Sequence, residues 1–297
     1  MSIRDIGLAV LIAAIWGFNF VVIKLGLGEF PPLFFAMLRF IFVAIPAVFF
    51  VDRKQIPWKW IISIGIAIGV VKFGLLYIGM DLGLPTGLAS LVLQAQVVFT
   101  VILGVMVFKE KIDRGQLLGI AIAVVGMALI GSNKIGGSQF IPFVMVVGAG
   151  LAWAIGNLLI KHSKISDGFR LFIWMGLVPP TPLLILSLLT EQGQLEALIN
   201  LNLLGIGSVL YTSMISTVVG FGLWGWLISK YSASSVAPFA LLVPIFGLYS
   251  AALFLGDSLT TNEQIGGLIV LAGLGLIIFS GRIAKTLGYG AAPIPKN

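Results

Sequence analysis

Long apolar stretches separated by short polar joints run through the whole chain. Ten of them emerge: Ile6–Gly28, Pro31–Val51, Trp60–Met80, Leu82–Phe108, Gly115–Asn133, Ile135–Ile160, Leu171–Thr190, Leu201–Ser229, Tyr231–Gly256 and Gln264–Gly281. Each approaches the roughly 20 residues that a helix needs to cross hydrocarbon. Barrel strands would alternate apolar and polar residues over about ten positions. These runs are continuous, and the joints leave no room for a soluble domain. The pattern predicts an all-α membrane protein of ten transmembrane helices. Arg4 ahead of the first run gives the outline of a signal peptide, but the run is long and lacks a small-residue cleavage pattern. It reads as an uncleaved first helix.

Charge orients the bundle. If alternate joints share a side, Arg4, Arg53, Lys54, Lys59, Lys109, Lys111, Arg114, Lys161, Lys164, Arg170, Lys230, Arg282, Lys285 and Lys296 fall together, and Lys134 alone falls opposite. Basic joints stay in the cytoplasm, so both termini are expected there. The same asymmetry accounts for the net charge of +7 and removes any need for a nucleic-acid partner.

Two halves echo each other. Trp16 and Lys24 reappear at one constant offset as Trp153 and Lys161. At a second offset Phe99 matches Phe246, Glu110 matches Asp257, Gly119 matches Gly266 and Gly126 matches Gly273. Five helices per copy is an odd number, so the second copy starts on the opposite side. Two inverted five-helix repeats follow, at 1–134 and 135–285, with a short cytoplasmic tail at 286–297. In such folds the substrate site lies near the midplane between the repeats. Pro46 in the second run, Pro179, Pro180 and Pro182 in the seventh, and Pro238 and Pro244 in the ninth are expected to bend or break their helices.

Composition agrees with a lipid solvent: 59% of residues are hydrophobic and 10% charged. Most of the 37 glycines lie inside apolar runs, where small residues let helices approach closely. With no cysteine, neither a disulfide nor a thiolate site is possible.

Polar residues at membrane depth are the candidates for function. Lys72 is the sharpest, roughly 18 Å into its run at 1.5 Å per residue. A lysine there costs roughly 2.5–3.5 kcal/mol on insertion scales, so it should face a polar cavity. Arg39 lies nearer an end and has two readings, cavity lining or a side chain reaching outward to the interface. Trp16, Asn19, Trp153 and Asn157 place polar atoms in the paired first helices of the repeats. Gln94 and Gln96 sit at the centre of the fourth run. Two positions apart on a helix, they should point to different faces, so one of them is expected to address the cavity. Lys24 reads as an interfacial anchor.

All eleven acids lie at or beyond the ends of the runs, and so does the lone His162. A metal site needs His or carboxylate clusters, and a hydrolase needs a base beside its nucleophile. Neither constellation is available at depth, so no catalytic residue, metal or cofactor is expected.

Four segments carry a resemblance: WGFNFVVIKLGL (Trp16–Leu27), PPLFFAMLRF (Pro31–Phe40), GLASLVLQAQ (Gly87–Gln96) and APFALLVPIFG (Ala237–Gly247). They resemble the EamA family of the drug/metabolite transporter superfamily, which would cover roughly residues 1–281. The resemblance implies ten helices around a central cavity and export from the cytoplasm across the cell inner membrane by alternating access. It also implies amino acids or derivatives of cysteine and O-acetylserine type as substrates. Lys72 departs from it, since the family resemblance leads to a glutamine there. Two other readings stay open. One is an antiporter of phosphorylated metabolites or nucleotide sugars, whose anions Lys72 and Arg39 would suit. The other is a membrane sensor or assembly subunit that moves nothing. The expected partners are a small-molecule substrate and the bilayer, and the oligomeric state is open.

Overall fold

Hydrocarbon offers backbone groups no water, so each crossing segment must satisfy its own N–H and C=O groups, which a helix does. The computed structural model describes residues 1–54, 56–165, 167–231 and 233–286. Among them no strand occurs, and the ten apolar stretches are helices. They are α1 (Ile3–Leu27), α2 (Pro32–Val48), α3 (Trp58–Asp81), α4 (Thr86–Phe108), α5 (Arg114–Ser132), α6 (Phe140–Ser163), α7 (Gly168–Thr190), α8 (Leu203–Lys230), α9 (Ala237–Leu255) and α10 (Thr261–Thr286). Apart from α2, each is long and apolar enough to span; α2 has 17 residues, at the short end of the spanning range. The tail expected at 286–297 lies outside the described residues from 287 onward.

Several boundaries differ from the sequence expectation, for local reasons. α4 starts at Thr86 rather than Leu82, because Gly83 adopts φ +102° and Pro85 then caps the helix. α6 starts at Phe140 rather than Ile135, beyond a turn in which Gly136 adopts φ +77°. A short helix, Gln194–Ile199, forms in the joint between α7 and α8, where none was foreseen.

Interruptions inside the helices matter more. Proline marks two of them. α7 breaks at 176–179, just before Pro180 opens its second segment, and α9 begins as a 3₁₀ turn, Ala237–Leu241, containing Pro238. Pro46 and Pro244, by contrast, sit within unbroken helix. Three interruptions have no proline. α3 is π-helical over Gly65–Lys72, α8 is π-helical over Tyr211–Val219, and α4 is broken at Leu93 and Gln94. In α3, Gly65 and Gly69 give the broken stretch of α7 room. A Cβ at Gly65 would lie 2.7 Å from Val178 Cβ, and one at Gly69 would overlap Pro179.

Helix neighbours obey a two-fold rule. α1 packs on α9 as α6 packs on α4, α3 packs on α6 as α8 packs on α1, and α2–α7 and α5–α10 pair across the axis. The last pair shows the symmetry at atomic level. A Cβ at Gly119 would meet Gly273 O at 2.7 Å, and one at Gly126 would meet Gly266 O at 2.7 Å. Exchanging the repeat-related partners, Gly119 with Gly266 and Gly126 with Gly273, turns one contact into the other. The two five-helix repeats are therefore inverted relative to each other.

Side chains pin both ends of the bundle. At the end where the basic joints gather, Lys161 pairs with Glu110, Arg170 donates to Asp52 O, and Lys230 meets Asp5 at 3.0 Å. At the opposite end Glu191 accepts from the N–H groups of Leu33 and Phe34 at the start of α2. Lys134 there pairs with the buried Glu263. The pairs Glu191–α2 and Lys134–α10 join one repeat to the other.

Candidate functional site

The interruptions of α3, α4, α8 and α9 converge on a cavity of about 300 Å³ at mid-depth. Each of the eight candidates, Lys72, Gln94, Gln96, Asn19, Asn157, Trp16, Trp153 and Arg39, lines it. The expectation that only one of Gln94 and Gln96 would face the cavity is corrected. The break makes i+3 turns here, with Gln94 N–H bonded to Leu91 O at 3.0 Å and Gln96 N–H to Leu93 O at 3.2 Å. The spacing of a regular helix does not apply across such a turn, and both carboxamides reach the same space.

The two cations are held differently. Arg39 is 2% exposed. Its Nη1 donates to Tyr77 Oη at 3.1 Å, its Nη2 donates to Thr217 Oγ1 at 2.7 Å, and its guanidinium lies 4.3 Å from the Phe73 ring centroid. It does not reach outward to the interface. Instead it ties α2 and α3 of the first repeat to α8 of the second. Thr217 can accept because its own hydroxyl donates to Thr212 O at 2.8 Å, across the widened turn of the π-helical segment.

Lys72 closes the π-helical segment of α3 and is 6% exposed. Its Nζ sits 3.6 Å from the Phe73 centroid and 4.3 Å from the Trp153 centroid. The faces of these rings attract a cation, but no protein acceptor or carboxylate meets it among the described residues. Around it, Asn157 Nδ2 donates to Gln96 Oε1 at 3.1 Å and to Thr100 Oγ1 at 3.3 Å, and Trp16 Nε1 donates to Ser216 O at 2.9 Å. Asn19 is 7% exposed, and its Oδ1 is buried with no partner.

The family model described as the EamA-like transporter family matches this chain twice, over residues 4–132 and 141–279. The chain belongs to the EamA-like transporter family. Among curated relatives, a Salmonella typhimurium protein named probable amino-acid metabolite efflux pump is 40% identical over 294 residues, covering 96% of this chain and 98% of its own. An Escherichia coli protein of the same name is 38% identical over 299 residues, covering 98% and 100%. A solved crystal structure matches with a TM-score of 0.63 over 94% of this chain and 97% of that chain, at 15% identity. That likeness speaks for the fold alone. The protein is thus a multi-pass membrane transporter that takes a small-molecule substrate.

In the transporter the central cavity is not symmetric along the membrane normal. Toward the basic end it continues into a vestibule of about 620 Å³ that shares Lys72, Trp153 and Asn157 with it and runs to Asp167, Gly168 and Ser229. Phe221 lines both spaces; it stacks on Phe172 of the vestibule at 4.2 Å and lies 5.0 Å from Trp16 of the cavity. At the mouth, burial raises the Asp167 carboxyl, but hydrogen bonds from the backbone and side chain of Arg170 outweigh it and hold the group below its ordinary range. Toward the opposite end Phe30, Phe35 and Tyr77 pack ring on ring and are buried. The Arg39 clasp lies beneath them.

Tyr77, Thr217, Ser90, Ser216, Phe221 and Trp224 belong to this region, and sequence reasoning did not single them out. The run of hydroxyl residues from Thr212 to Thr217 inside an apolar span was the available signal. All but one of its hydroxyls donate to backbone carbonyls of the preceding turns. That pattern is ordinary in membrane helices, and only contact with Arg39 distinguishes Thr217.

Proposed function

We propose that this protein is a secondary exporter that moves small amino-acid metabolites, of the cysteine and O-acetylserine type, out of the cytoplasm by alternating access. The observation that carries the reading is the mid-depth cavity. Polar side chains from both repeats converge there, it continues toward one end of the bundle, and packed aromatic rings close the other. Repeat interfaces at the midplane are where alternating-access carriers hold their substrates. The names of the two relatives support an amino-acid metabolite as cargo.

On this reading the basic end, with its vestibule, faces the cytoplasm, both termini lie there, and the membrane is the inner one. The repeats are taken as 1–134 and 135–285. The eight cavity residues contact the substrate or shape its chamber. A cavity of about 300 Å³ lies at the low end of the roughly 300–1,000 Å³ typical of small-molecule pockets. Only one cation in it is without a protein hydrogen bond, which favours a free amino acid over a nucleoside diphosphate sugar.

Counterflow in proteoliposomes tests the proposal. Vesicles holding purified protein and unlabelled L-cysteine or O-acetyl-L-serine should accumulate the labelled compound, and protein-free vesicles should not. Exchange of neither compound overturns the cargo assignment. A protein that also fails with every other amino acid is not an amino-acid carrier.

A further inference from the structure

The two buried cations of the central cavity do not share one task, and the geometry points to Lys72 alone as the residue that selects for a substrate carboxylate. This assignment rests on the export reading and deepens it. Arg39 already donates to Tyr77 and Thr217. Its buried Nε has no partner, but the planar fork is held on two sides and against Phe73. Its orientation is set by Tyr77 of α3 and Thr217 of α8 before any cargo enters.

Lys72 is held by nothing comparable. Its Nζ rests against Phe73 and Trp153, which supply attraction but no hydrogen-bond acceptor. The guanidinium of Arg39, packed on the same Phe73 ring, puts a like charge beside it. A lysine removed from water, beside a second cation and without an anion, is an incomplete pair. A carboxylate entering the cavity completes it, and low local dielectric strengthens the bond.

A second observation fits the same cargo. Asn19 is also buried, and its carboxamide oxygen has no donor. Lys72 offers unfilled donors and Asn19 an unfilled acceptor in one chamber. That pairing complements a molecule with a carboxylate at one pole and an ammonium at the other. Lys72 is therefore specificity-determining, and Arg39 positions the helices around it.

The test compares an amino acid with its ester. In a buffer acidic enough to keep its amine protonated, L-cysteine methyl ester has the ammonium and the side chain of L-cysteine but no carboxylate. Binding of both to purified wild-type protein in nanodiscs is followed by calorimetry, with the Lys72→Gln and Lys72→Arg variants alongside. Wild type should bind the acid at least about tenfold more tightly than the ester, since a charge-assisted bond formed by a buried lysine is lost. Lys72→Gln should bring the two within about threefold, and Lys72→Arg should restore part of the preference. Equal binding of acid and ester by wild type overturns the carboxylate role and leaves export standing. An undiminished preference in a folded Lys72→Gln variant does the same. If wild type binds neither compound and exchanges no amino acid, the export reading fails and this assignment fails with it.

Discussion

Arg39 and Lys72 both lie against the ring of Phe73, yet their surroundings separate them. From the sequence each was a cation inside an apolar run, and depth was the only measure available. Arg39 could be read two ways because its eventual acceptors, Tyr77 and Thr217, lie 38 and 178 positions away along the chain. The clasp makes a residue-level expectation. Thr217→Val leaves a guanidinium donor buried without its acceptor, which should cost about 1–3 kcal/mol. Tyr77→Phe should act in the same direction. Because both remove partners of one guanidinium, the double variant should differ from the sum of the singles by about 0.5 kcal/mol or more. Melting of the detergent-solubilised protein measures all three, and strict additivity would dissolve the clasp as a unit.

Helices that cross this membrane were legible one by one, but their interruptions were legible only where proline caused them. The breaks in α7 and at the start of α9 carried that signal. The π-helical segments of α3 and α8 and the break in α4 did not. They depend on what packs beside them, such as the Val178–Pro179 stretch of α7 against Gly65 and Gly69. A helix that gains one residue in a turn changes the facing of the residues around it, and Lys72 closes such a segment at the cavity. Glycine placement makes the matching expectation. A Cβ at Gly273 would lie 2.6 Å from Ala123 N and from Gly119 O, both backbone atoms. Gly273→Ala should therefore force α5 and α10 apart and cost about 1–3 kcal/mol. Gly7 has nothing within 4 Å of the same point, so Gly7→Ala should stay within about 0.5 kcal/mol of wild type. Equal thermal shifts for the two would contradict close α5–α10 contact.

At the scale of the molecule, the transporter is closed by rings at one end and continuous with a vestibule at the other. The absence of cysteine makes this directly testable by labelling. Gly225 lines the vestibule and has open space around it, so Gly225→Cys should react with a membrane-impermeant thiol reagent in inverted vesicles. Leu33 is buried at the start of α2, at the end of the bundle opposite the vestibule. Leu33→Cys should be inert until substrate turnover opens that end, and then react in intact cells. Fast labelling of Leu33→Cys without substrate would mean that the closed end is not closed. Orientation has its own check. Reporter fusions after Lys230 should read cytoplasmic and fusions after Glu196 periplasmic, because α8 alone separates them. The same side for both would undo the inverted arrangement.

The sequence by itself determined the solvent, the helices and the duplication. All of these are properties of the chain taken a segment at a time, and hydrocarbon leaves a segment few alternatives to a helix. It also selected the eight residues that came to line one cavity, since a polar group at depth must face protein or a cavity rather than lipid. Tertiary structure decided their partners. It fastened Arg39 across the repeats, left Lys72 and the Asn19 oxygen unfilled, and turned Gln94 and Gln96 to the same side through a broken helix. Those outcomes hinge on contacts a few ångströms wide between residues far apart in the chain, and hydropathy and local spacing carry no information about such distances.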